Sequence, residues 1–124
     1  MYGRCWTTGW GKDAFDDHSK YSNLLKEVNL PVVSNHVCEQ QMRQTRLGHS
    51  FTLHPGFICA GGEEGKDACK GDGGGPMVCE RQGHWQLAGV VSWGIGCGQR
   101  NVPGVYTRVS HYLDWIHQIV GSVN

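Results

Sequence analysis

The sequence predicts an all-β fold: a small antiparallel barrel of six strands with a short surface helix and a terminal helix. Three observations carry this. Apolar runs are short and alternate with turn residues along the whole chain, as they do in sandwiches and barrels. The 124 residues include 19 glycines and five tryptophans, which suits loop-rich β structure better than a helical bundle. Six cysteines, an even and high count for the length, favour three disulfides and an oxidising compartment.

Each element has its own warrant. The strands are read at Cys5 to Trp10, Leu24 to Val33, Gly56 to Ala60, Pro76 to Glu80, Trp85 to Trp93 and Gly104 to Val109, each bounded by turn residues. Ser34 to Arg43 opens with a serine suited to capping and continues with helix-tolerant polar residues, so it reads as a short surface helix. Around and after Ser110 the residues Val109, Tyr112, Leu113, Ile116, Ile119 and Val120 fall at helical spacing and stop at Gly121. They predict an amphipathic terminal helix whose apolar stripe packs on the barrel.

The remaining composition sets limits. The length allows one compact domain, and with no internal repeat, low-complexity block or linker, residues 1–124 are read as one unit. Eleven basic residues balance eleven acidic ones, so no global field draws the chain to nucleic acid or to an anionic membrane. No run approaches the ~18 apolar residues that cross a bilayer, and no Asn-x-Ser/Thr glycosylation site occurs. Met1 to Thr8 lack a basic start followed by an apolar run. The expectation is therefore either a secreted protein of which this chain is a fragment, or a chain with reduced cysteines.

The most informative stretch is Asp67 to Pro76 (DACKGDGGGP), a cysteine followed by a glycine-rich loop and a proline that opens an apolar strand. In order with it stand Thr8 to Gly11 (TGWG), Phe57 to Gly62 (FICAGG), Ser92 to Gly96 (SWGIG) and Pro103 to Arg108 (PGVYTR). On these motifs the chain resembles the second, C-terminal barrel of the chymotrypsin/trypsin family of serine proteases, from about Gly3 to Val120. In that family the loop reads Gly-Asp-Ser-Gly-Gly-Pro, and its serine attacks the scissile carbonyl after a histidine takes its proton. Here the position is Gly73, which offers no oxygen or sulfur for an acyl-enzyme. Loss of such a nucleophile leaves only a residual rate of roughly 10³–10⁴-fold over water, from binding and the oxyanion hole.

The resemblance implies further roles. Gly71 and Gly73 match the positions whose backbone N–H groups form the oxyanion hole, which survives a change of side chain. Asp72 matches the carboxylate that, in active members, pairs with an N-terminal amine released on activation. Asp67 matches the carboxylate at the base of an Arg/Lys-specific pocket, Gly94 and Gly104 its walls, and Ser92 with Trp93 the strand that pairs with substrate backbone. The catalytic histidine and aspartate of the family belong to a first barrel that would precede Gly3 and is expected to be absent from the chain. The histidines present (His18, His36, His49, His54, His84, His111 and His117) match no motif and are read as ordinary surface or partly packed residues.

Cysteine pairing cannot be sorted from sequence alone; the resemblance implies Cys5 with Cys79, Cys38 with Cys59, and Cys69 with Cys97. A zinc site is disfavoured because no cysteine pair has C-x-x-C spacing, and no cofactor is expected. Three functions follow. The leading one is a secreted pseudoprotease that binds protein partners, such as proteases or zymogens of an extracellular cascade, with room for an Arg or Lys side chain in its pocket. It is most similar to the arthropod clip-domain serine protease homologues, which carry glycine at this position and act in cascades such as prophenoloxidase activation in innate immunity. Many of those have serine where this chain has Gly75. The second is an active trypsin-like endopeptidase, serine and glycine codons differing by as little as one base. The third is a truncated, non-functional product, since a lone second barrel exposes the apolar face that should meet the first.

Overall fold

The computed structural model describes residues 4–11, 24–63, 72–96 and 98–121. Six strands form a closed antiparallel barrel: β1 (Arg4–Gly9), β2 (Lys26–Val33), β3 (Phe57–Gly61), β4 (Pro76–Arg81), β5 (His84–Trp93) and β6 (Pro103–Arg108). Around the barrel they run β1-β2-β3-β6-β5-β4, and β4 pairs back onto β1. Each strand lies within two residues of its sequence-derived bounds, because each apolar run has a face that the other strands bury.

Alternation decides which residues are inside. Cys5 and Thr7 of β1, Leu30 of β2, Ile58 and Ala60 of β3, Met77 and Cys79 of β4 and Tyr106 of β6 turn inward and are nearly free of solvent. Most of them form one core cluster, with Val28, Val32 and Val91 packed at its margin. Cys5 and Cys79 stand opposite each other where β1 meets β4, and a disulfide joins them. Their 74-residue separation makes this the longer covalent loop, with about 4 kcal/mol of stabilisation expected from lost chain entropy.

Helix α1 (Asn35–Arg43) closes one flank. Ser34 caps it, its Oγ accepting a hydrogen bond from the Val37 N–H at 3.3 Å. Cys38 and Met42 face inward and form a second cluster with Leu53, Cys59 and Val105, where a disulfide joins Cys38 to Cys59. Arg108 fixes the start of α1 to the barrel, its Nη2 donating to Asn35 Oδ1 at 2.7 Å and its Nε to the Phe57 carbonyl at 3.1 Å.

The C-terminal segment departs from expectation. It begins as a 3₁₀ turn over Val109–Tyr112 and continues as α2 (Leu113–Gly121). The periodicity predicts a stripe packed on the barrel, yet α2 buries none of its residues; Trp115 is 62% exposed and Ile119 53%. The physical reason is positional. The 3₁₀ turn rests against β5, and α2 runs on from it without joining either core cluster. Among the described residues no helix is long and apolar enough to cross a membrane.

Candidate functional site

Just before β4 the chain makes a tight turn. The Gly75 N–H donates to the Asp72 carbonyl at 3.0 Å, which makes Asp72 to Gly75 a four-residue β-turn with Gly73 and Gly74 at its tip. Gly74 has φ +83°, the left-handed value that a type II turn requires at its third residue and that glycine adopts without a β-carbon penalty. The turn is bolted to β5 on both sides: the Gly74 N–H donates to the Val91 carbonyl at 2.9 Å, and the Val91 N–H to the Gly75 carbonyl at 2.8 Å. A β-carbon on Gly75 would meet the Asp72 carbonyl oxygen at 3.0 Å, so close backbone packing also restricts that position.

Gly73 differs from both neighbours. It is exposed, and a β-carbon added there would meet no heavy atom within 4 Å. Among the described residues its N–H has no hydrogen-bond partner. The turn thus presents a free backbone donor and open space where a side chain could stand, without the side chain.

Asp72 points the other way. Its Oδ1 accepts a hydrogen bond from the Gly11 N–H at 2.8 Å, and a β-carbon on either Gly9 or Gly11 would overlap its carboxylate. The two glycines of the TGWG motif therefore make room for Asp72. Sequence reasoning singled out the motif but not this use of it.

The other predicted residues cluster at the β5–β6 end of the barrel. The β5–β6 register shifts between Val91 and Trp93, so Ser92 occupies a bulge and is exposed. Trp93 is half-buried and opposite Val105; Phe51 and Phe57 approach it edge-on, with ring centroids 5.9 Å and 6.1 Å away. Gly94 and Gly104 face each other, since a β-carbon on Gly94 would stand 3.9 Å from Gly104 Cα. Bonds from β5 to the turn thus bring Ser92, Trp93, Gly94 and Gly104 into one framework with Gly73. Phe51 gave no signal in the sequence, because it lies in an irregular loop and meets Trp93 only through the fold. Asp67, Gly71, Cys69 and Cys97, and with them the pocket base and the third disulfide, lie outside the described residues.

The six described histidines are all exposed. His54 and His111 meet edge-on at 5.8 Å, far along the chain from the turn. Among the described residues no group of histidine, cysteine and carboxylate side chains is arranged to hold a metal.

The trypsin family model matches residues 2–116. The chain belongs to the trypsin family. It is 51% identical over 122 residues to phenoloxidase-activating factor 2 of Galleria mellonella, covering 96% of this chain and 40% of that protein. It is 50% identical over 117 residues to the inactive CLIP domain-containing serine protease A3 of Aedes aegypti, covering 94% of this chain and 25% of that protein. Mouse tryptase is 45% identical over 118 residues, covering 94% of this chain and 43% of the tryptase. The chain therefore spans less than half the length of these relatives.

Proposed function

We propose that this chain is the C-terminal barrel of a non-catalytic trypsin-family protein, a pseudoprotease that acts by binding. The observation that carries the reading is Gly73. On this reading it stands at the nucleophile position of the Asp72 to Gly75 turn, and it has no atom with which to form an acyl-enzyme. The reading assigns the Gly71 and Gly73 N–H groups to an oxyanion hole, Asp72 to the part of the activation carboxylate, and Asp67, Gly94 and Gly104 to a pocket for Arg or Lys. Ser92 and Trp93 offer their strand to an extended peptide. Relatives named as inactive CLIP domain-containing proteases, and one named as a phenoloxidase-activating factor, support a secreted partner in a proteolytic cascade. The family's catalytic histidine and aspartate would then belong to a first barrel outside this chain.

A second reading has one observation in its favour. The open space at Gly73 and its ordinary backbone would accept serine without strain, and mouse tryptase is nearly as similar as the inactive relatives. On that reading the natural protein carries serine at this position and cleaves after Arg or Lys.

The test is binding without turnover. Immobilised benzamidine, an arginine mimic, should retain the native protein, Asp67→Asn should abolish retention, and chromogenic Arg and Lys amides should stay intact. Turnover by the native protein would sink the first reading; failure to bind benzamidine would remove the pocket from it.

A further inference from the structure

The outer face of the barrel carries a groove apart from the Asp72 to Gly75 turn. Because Cys5 and Thr7 point inward on β1, Trp6 and Thr8 point outward, and the same alternation turns Glu27 of β2, Val78 of β4 and Trp85 of β5 to that side. The register sets them together: Thr8 lies opposite Glu27, and Trp6 opposite Val78. These residues line one open cavity of about 330 Å³. It lies at the small end of the range for ligand sites, with room for a side chain.

Its chemistry is selective. Two indoles supply electron-rich faces, and Trp85 leaves 56% of its surface in water. Glu27 supplies a carboxylate that, among the described residues, has no ion-pair or side-chain hydrogen-bond partner. Arg4, the outward cation nearest along β1, is engaged by Asn29 and by Glu63, the latter at 3.7 Å. Glu80 stands opposite Trp85 and adds a second carboxylate on the same face. Aromatic faces beside a carboxylate attract a cation and repel an anion. Leu87, opposite Val78 and half exposed, extends the patch into an apolar rim of the kind that protein surfaces cover.

We propose that this groove is a docking site for a Lys or Arg side chain of a partner protein, the cation lying against Trp6 and Trp85 with Glu27 as its counter-charge. It stands whatever residue occupies position 73, since none of its lining belongs to the turn or to Ser92, Trp93, Gly94 and Gly104.

The test follows the indole N–H resonances of the disulfide-bonded chain by NMR. The probes are acetyl-Gly-Lys-Gly-amide, its Arg counterpart and its neutral norleucine counterpart. The Lys and Arg peptides should move the Trp6 and Trp85 resonances, the norleucine peptide should not, and the response should persist in Asp67→Asn, which removes the charge of the protease pocket. Trp85→Ala should weaken binding roughly tenfold and Glu27→Gln about fivefold, while Trp85→Phe keeps most of it; dispersed amide spectra establish that each variant is folded. Equal shifts with norleucine, no shifts at all, loss of the response in Asp67→Asn, or an unchanged affinity in Glu27→Gln would each overturn the proposal. So would a response in this chain that vanishes in the longer natural polypeptide, because the groove would then be filled from within.

Discussion

The barrel strands and α2 both carry a regular apolar pattern and meet opposite fates. Leu30, Ile58, Met77 and Tyr106 are sealed between strands, whereas Leu113, Trp115, Ile119 and Val120 are exposed. Periodicity states which residues share a face; it does not state what covers that face. For the strands the cover is other strands of the same chain, closed into a ring, so alternation and burial agree. For α2 only Ile116 is half-buried, and the exposed large apolar side chains around it are the kind of surface that a further packing partner buries.

This difference can be broken by mutation, and the largest effect should come from the seam of the ring. Replacing Cys5 and Cys79 by alanine should lower unfolding stability by about 4 kcal/mol in urea titrations, and a loss below about 1 kcal/mol would show that the seam is held by its ladder alone. Met77→Ala, in the centre of the core, should cost roughly 3 kcal/mol in the same titration. In the Asp72 to Gly75 turn the contrast is local. Gly74→Ala forces an alanine to φ +83° and should cost about 1–2 kcal/mol, whereas Gly73→Ala should change stability by less than about 0.5 kcal/mol. Equal losses at the two positions, seen by thermal unfolding, would mean that the turn is not shaped as described. Trp115→Ala should be the mildest, within about 0.5 kcal/mol for this chain, and a loss comparable with that of Met77→Ala would place α2 in the core after all.

Much of the fold was legible because short alternating runs between glycine and proline have few alternatives to pairing. The α1 cap at Ser34 was legible as a serine before a helix-tolerant run, and the ordered motifs drew attention to Gly73, Ser92, Trp93, Gly94 and Gly104 without fixing their roles. Other features depend on distance in space. The room that Gly9 and Gly11 leave for Asp72, the edge-on contacts of Phe51 with Trp93, and the joining of Trp6, Glu27 and Trp85 in one groove all require the strand register. No local pattern encodes it. The 3₁₀ start of the terminal segment was missed for a related reason: i,i+3 and i,i+4 spacings overlap over a single turn.

Covalent labelling tests most directly whether the tip of the Asp72 to Gly75 turn lacks a nucleophile. The native, full-length protein, activated if it is a zymogen, is treated with a fluorophosphonate that reacts with activated serines, digested, and mapped by mass spectrometry. A pseudoprotease gives an unmodified peptide with glycine between Asp72 and Gly74; an adduct on a serine at position 73 would overturn that reading and identify a working protease.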